Sequence, residues 1–258
     1  MQTHDARSQA LAHSEKLGRA FDPSVAYWRG YYAPESDASQ PIGTERLRVF
    51  GDALRSVAAQ GRWLEAGCGI GVMAREFRAL GLQICGVDMS VKLLEEATRV
   101  TGLPFVGEGQ PSPAADHLRR ASVDRLPYAD GHFEGAYASS VLEYAASLEL
   151  ALGELHRVVR RGGHLIFNLP NAFSVFRIGH AARHRNHPYY DLVPRWAYWK
   201  WEIAKMLERS GWQKAKLTYY GAERNAPVVP LFVPENARQA LARSPWAASF
   251  ILVIAKRG

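Results

Sequence analysis

Trp63-Leu-Glu-Ala-Gly-Cys-Gly-Ile-Gly71 is the stretch on which the fold turns. A short apolar run, Arg62 to Ala66, ends in glycines at 67, 69 and 71, the pattern of a strand turning into a helix. Glycine tolerates positive φ and has no Cβ, so a ligand can approach the backbone closely there. The helix that follows, expected from about Gly71 to Leu80, offers free N–H groups to an anionic group such as a carboxylate. A dinucleotide fingerprint needs its third glycine at position 72, where this chain has Val72. Glu65 stands just before the loop. Its charge suits a ligand bearing an ammonium group and disfavours a pyrophosphate.

The next strand, LQICGVD (82–88), ends on Asp88, 21 residues beyond Gly67. A carboxylate at that point accepts hydrogen bonds from both hydroxyls of a ribose. Ser90 is the better N-cap for the helix expected over 90–100, which leaves Asp88 available to a ligand. Further along, Asp124 follows a strand expected near 118–123. There it can accept from an exocyclic adenine amine, with Met89 and Leu126 as apolar walls for the ring. Asp130-Gly131 reads as a tight turn.

The rest of the chain continues the rhythm. Thr44 can cap a helix whose apolar positions Leu47, Phe50, Leu54 and Val57 recur at helical spacing. A strand is expected at Phe133–Ser139, and a helix over Leu148–Arg160 with Leu148, Leu152, Leu155 and Val159 on one face. A further strand is expected at His164–Leu169. Strands alternating with helices of this length imply a doubly wound α/β fold with a mainly parallel sheet. Residues 101–117, rich in Gly and Pro, read as an insertion with a short strand at Pro104–Val106. The chain closes with a helix from about Arg195 to Ser210 and strands at Lys214–Tyr220 and Ala248–Lys256. Without a strong crossover helix between them, these strands predict an antiparallel edge. Residues 1–43 read as a partly helical arm ahead of a domain over 44–258.

Of the 258 residues, 47% are hydrophobic and 22% charged, the balance of a soluble globular protein with a real core. No apolar run is long enough to cross a bilayer, and the N-terminus lacks the apolar centre of a secretory signal. Two cysteines, Cys68 and Cys85, fit a reducing compartment. A cytoplasmic enzyme is therefore expected. The net charge of +7 is uneven: residues 157–258 hold 17 Lys and Arg against 5 Asp and Glu. That basic part is either a solvated surface or one that meets an anionic acceptor, an acidic membrane or nucleic acid.

Taken together, LEAGCGIG (64–71), GVDMS (86–90), VDRLPYADGHFEGAYASSVLEY (123–144) and LGELHRVVRRGGHLIFNLPN (152–171) resemble the class I S-adenosylmethionine-dependent methyltransferases. The likeness is greatest to the ubiquinone and menaquinone biosynthesis (type 11/12) group. It implies a Rossmann-like seven-stranded sheet whose last, antiparallel strand inserts beside the sixth. It implies S-adenosylmethionine as cofactor, S-adenosylhomocysteine as product and no metal. Glu65, Gly67, Cys68 and Gly69 would then hold the methionine end, and Asp88 the ribose. Met89, Asp124 and the backbone around Val123 would meet adenine, with Ser139 near the amino group and sulfonium. The chain departs from the family at Arg160-Arg161-Gly162-Gly163, read as a turn, and at Tyr144, where many relatives have His. The 101–117 insertion also lengthens the interval from Asp88 to Asp124.

An acceptor-binding insertion is expected at about 171–200, where one of His180, His184 and His187 would serve as general base and arginines would bind an acidic group. Surface histidines are the plainer reading, and no carboxylate or cysteine completes a metal set with them. Tyr27, Trp28, Tyr31 and Tyr32 would form a lid or a patch that packs the arm on the core. Trp196, Trp199 and Trp201 would divide between core and pocket rim. The expected activity is methyl transfer to a small-molecule acceptor, a hydroxyl oxygen of an anionic metabolite. An RNA-modifying enzyme, a partner role for nucleic acid and a non-catalytic S-adenosylmethionine-binding protein are the alternatives. A nicotinamide enzyme is disfavoured by Val72 and Glu65.

Overall fold

A computed structural model describes residues 2–32, 42–107, 110, 113, 115–174, 196–221, 234, 237 and 244–258. His180, His184, His187 and most of the expected 171–200 insertion lie outside these residues. The arm forms α1 (Gln2–Phe21), a 3-10 turn (Asp22–Ser24) and α2 (Val25–Tyr31). Then follow α3 (Ile42–Ser56), β1 (Arg62–Ala66), α4 (Val72–Ala79), β2 (Gln83–Asp88) and α5 (Val91–Thr101). Next are β3 (Phe105–Val106), β4 (His117–Arg120), β5 (Phe133–Ala138), α6 (Leu148–Val158) and β6 (Val159–Pro170). The chain closes with α7 (Lys200–Arg209), β7 (Trp212–Tyr220) and β8 (Phe250–Arg257).

The strands form one sheet in the order β3-β4-β2-β1-β5-β6-β8-β7. Only β8 runs against the others, inserted between β6 and β7, as the resemblance implied. The sheet has eight strands rather than seven because the 101–117 stretch adds the two-residue edge strand β3. Side chains alternate across the sheet as strand geometry requires. Trp63, Tyr137 and Ile166 meet Phe50 and Phe77 of α3 and α4 on one face. Leu64, Ala136 and Phe167 meet Leu152 and Leu155 of α6 on the other. Both faces are covered, so the central strands read as near-continuous apolar runs.

Three local expectations are corrected. Thr44 lies inside α3, exposed, two residues after the helix begins. Val159 leaves α6 to begin β6, and Val158 takes its place on the buried face. Arg160–Gly163 belong to β6 rather than to a turn. A register shift between the Phe133–Val159 and Gly135–His164 pairs absorbs the extra residues, so the strand bulges instead of breaking.

Candidate cofactor site

The strand order reverses on either side of β1, and the carboxyl ends of its neighbours frame a cavity, as such sheets favour. Gly67 N and Cys68 N both donate to Val87 O, at 2.8 and 2.9 Å, and tie the loop after β1 to β2. Gly67 and Gly69 have φ of 72° and 53°. A Cβ at Gly67 would lie 2.4 Å from Val141 Cγ2, whereas one at Gly69 would meet nothing within 4 Å. Gly67 thus answers a packing demand, while Gly69 presents bare backbone to the cavity.

Asp88 is held by two amides. Gly69 N donates to Oδ2 and Ser90 N to Oδ1, each at 2.9 Å. Ser90 caps α5, its Oγ accepting from Leu93 N at 3.1 Å, so Asp88 is spared that duty. Each carboxylate oxygen keeps a lone pair for another donor. Burial raises the Asp88 pKa, opposed by the Ser90 and Gly69 amides.

Glu65, on the cavity wall, is 3% exposed. Its Oε2 has no hydrogen-bond partner among the described residues. Burial pushes its carboxyl well above the usual range, with the neighbouring Tyr137 phenol acting in the opposite direction. A cation is the group that would satisfy it.

Sequence reasoning missed Arg46. This buried arginine of α3 lines the same cavity, and its Nε has no partner among the described residues. The guanidinium lies 5.4 Å from the Tyr31 ring centroid and 5.6 Å from that of Phe250, within cation–π range. The Tyr32 phenol, pushed by burial up to about 12, neighbours both Arg46 and Glu65. A signal did exist: Arg46 precedes Phe50 by four residues and so shares the apolar face of α3.

Met89, Cys68, Val123 and Ser139 all line the cavity. Ser139 Oγ is buried without a partner among the described residues. Ser140 beside it adopts φ 54°. It donates its N–H to Asn168 Oδ1 at 2.8 Å, and Asn168 Nδ2 donates to Ser140 Oγ at 3.2 Å. Such pinned, strained residues mark functional strand ends. Asp124 stands one step behind the wall, where Oδ2 accepts from the Ser14 and Ser122 hydroxyls at 3.2 Å each. Leu126, expected as an adenine wall, is instead buried in the core with Leu152.

The arm supplies more of the cavity than its aromatics suggested. Ser14, Leu17, Gly18 and Phe21 of α1 join Trp28 and Tyr32 in lining it. Tyr31 packs on Arg46, and Tyr27 is 43% exposed. Trp196, Trp199 and Trp201 are 53%, 41% and 61% exposed, a correction to their expected division between core and rim. Here α7 buries Ile203 and Leu207 and leaves Trp201 exposed, while Trp196 and Trp199 precede the helix.

Residues 64–167 match the family described as a methyltransferase domain. Over 104 residues the chain is 36% identical to the malonyl-[acyl-carrier protein] O-methyltransferase of Pseudescherichia vulneris, covering 40% of this chain and 37% of that protein. It is also 36% identical over 143 residues to the O-methyltransferase resE of Aspergillus sclerotiorum, covering 55% and 50%. The chain thus spans about half or less of the length of these curated relatives. A solved structure of an S-adenosylmethionine-dependent methyltransferase from Thermotoga maritima superposes with a TM-score of 0.65. That alignment has 18% identity and covers 93% of this chain and 99% of the other; it shows the fold.

Proposed function

We propose, from the match of residues 64–167 to a methyltransferase domain, that this chain is a class I S-adenosylmethionine-dependent methyltransferase and transfers a methyl group to an oxygen of a small anionic acceptor. The observation that carries the cofactor half is a buried carboxyl and a buried guanidinium that line one cavity. Glu65 Oε2 and Arg46 Nε both lack partners among the described residues. A zwitterionic amino-acid group complements them, with Glu65 accepting from its ammonium and Arg46 donating to its carboxylate. Asp88, fixed by two amides, accepts from the ribose hydroxyls. Bound there, S-adenosylmethionine supplies an electrophilic methyl on a sulfonium.

The chain's own residues then have two tasks. They must hold the acceptor in line with the methyl, and they must keep water away. Phe21, Trp28 and Tyr144 give the cavity an apolar wall suited to the second task. A hydroxyl acceptor must also lose its proton, and His180, His184 or His187 is the proposed base; a carboxylate acceptor needs none. Two relatives carry O-methyltransferase in their names, which supports oxygen as the acceptor atom. The excess of 17 basic over 5 acidic residues in 157–258 supports an anionic acceptor. It equally supports RNA, whose binding would fall steeply with salt. Among the described residues no helix is long and apolar enough to cross a membrane. Cys68 and Cys85 are both free thiols, which supports a reducing compartment, and on that ground we place the enzyme in the cytoplasm.

The test is transfer of label from methyl-tritiated S-adenosylmethionine to a panel of hydroxy acids, dicarboxylic acids, amines and RNA. Label is expected in the acids, and replacing the true base by alanine should lower kcat at least about 100-fold. Label confined to amines or RNA would contradict the oxygen acceptor; label in none would contradict transfer to these classes.

A further inference from the structure

We propose that the N-terminal arm is part of the adenine-binding site, with Ser14 of α1 holding Asp124 in position to receive the exocyclic amine of the base. The inference rests on the cofactor reading above. Ser14 is 4% exposed, and its Oγ lies 2.8 Å from Ser122 Oγ while donating to Asp124 Oδ2 at 3.2 Å. Ser122 Oγ in turn accepts from Asp124 N at 3.1 Å. One carboxylate oxygen is therefore fixed by two hydroxyls. The other, Oδ1, is buried and has no partner among the described residues. A buried carboxylate oxygen can be satisfied only by a donor. Adenine offers an amine at its 6-position, whereas a 6-oxo purine would set a carbonyl oxygen against the carboxylate.

The seating of α1 puts this contact at the base rather than at the acceptor. Gly18, one turn beyond Ser14, faces Met89 so closely that a Cβ would fall 2.4 Å from Met89 O. No side-chain rotation relieves a clash with backbone. Arg120 donates from Nε to the same carbonyl at 3.2 Å and pairs with Glu15 of α1. At the end of the helix, Asp22 Oδ1 accepts from Ser90 Oγ at 2.7 Å and from Lys92 N at 3.2 Å. All these contacts gather at the ends of β2 and β4, beside Asp88 and Asp124. Trp28 and Tyr32, later in the arm, extend the cavity towards Arg46.

The experiment measures binding of S-adenosylhomocysteine and of its 6-oxo analogue, S-inosylhomocysteine, by calorimetry. The wild type, Ser14→Ala, Ser14→Thr and Gly18→Ala are compared, with ligand-free thermal melting as the check on folding. The wild type should prefer the adenine compound by about tenfold or more. Ser14→Ala should cut that preference about fivefold, by weakening the adenine compound alone, and Ser14→Thr should keep it. Gly18→Ala should weaken both ligands together, because it lifts the whole helix. An unchanged preference in Ser14→Ala, or equal weakening of both ligands, would overturn the role of Ser14. Unchanged affinity in Gly18→Ala would overturn the role of the arm. A wild type that binds neither compound would overturn the cofactor reading itself.

Discussion

Glu65 carries a charge that its surroundings resist. Burial raises its pKa well above that of an ordinary Glu, near 4.5. As pH rises from that ordinary value, the unfolded chain ionises this residue before the folded one does. The ligand-free protein therefore loses stability across that window, up to the raised pKa. A bound ammonium reverses the preference, so cofactor binding at a pH between the ordinary and the raised pKa should release a proton from Glu65. Calorimetry in phosphate and in Tris, buffers of different ionisation enthalpy, should report this release, and Glu65→Gln should abolish it; equal enthalpies in the wild type would refute the assignment. Gly67 offers a steric test. Gly67→Ala places a methyl 2.4 Å from Val141 Cγ2 and forces a positive φ on alanine. A loss of about 1–3 kcal/mol is expected by chemical denaturation, only partly recovered by adding Val141→Ala. Glu65, Gly67 and Asp88 were legible in the sequence because their roles follow from a loop a few residues long. Arg46 was not. Its spacing from Phe50 places it on the apolar face of α3, but that this end of the face borders the cavity is a tertiary fact that no local spacing contains.

The α5 N-terminus shows how one element joins two others. Ser90 Oγ accepts from Leu93 N and donates to Asp22 of the arm, while Ser90 N holds Asp88. Ser90→Ala removes the cap and the tie to the arm but leaves the backbone donor. Its cost should be about 1–2 kcal/mol in thermal stability, with weaker cofactor binding through the loosened arm; a change below about 0.3 kcal/mol would show that water replaces both contacts. At this scale the strands were well legible, β1 to the residue, because glycine and proline punctuate them and buried parallel strands are continuous apolar runs. Arg160–Gly163 misled for a physical reason. Two glycines beside two arginines look like a turn locally, yet Val159 and His164 on either side pair with Phe133 and Gly135 of β5, so the strand carries the four residues between them as a bulge. The tryptophans of 196–201 misled similarly, since aromatic content does not say that Trp196 and Trp199 fall before α7 or that Ile203 and Leu207, and not Trp201, form its buried side.

Over the whole molecule, the sheet brings together residues far apart in sequence: Ser14 of the arm, Arg46 of α3, Glu65 of β1, Asp88 of β2 and Ser139 after β5 all line one cavity. The fold class and an antiparallel end to the sheet could be read from the order of elements, whereas the place of the reversed strand β8 beside β6 was implied by the family resemblance. The closing of the arm over the cavity could not, because it is fixed by contacts spanning about a hundred residues, such as Ser14 with Asp124. A ligand that touches arm and sheet together should stabilise both. S-adenosylhomocysteine at about 100 times its Kd should add roughly 2.7 kcal/mol to unfolding, a rise of about 5–11 °C in Tm for a chain of this size; no rise would mean that the folded protein does not bind this ligand. The most direct test of the account is calorimetric titration of the wild type and of Asp88→Asn with S-adenosylmethionine, with NAD as control. The wild type should bind S-adenosylmethionine but not NAD, and binding should weaken about 10–100-fold in the variant, where an amide must face the Gly69 or Ser90 N–H. Failure of the wild type to bind, or equal binding by the variant, would contradict the account.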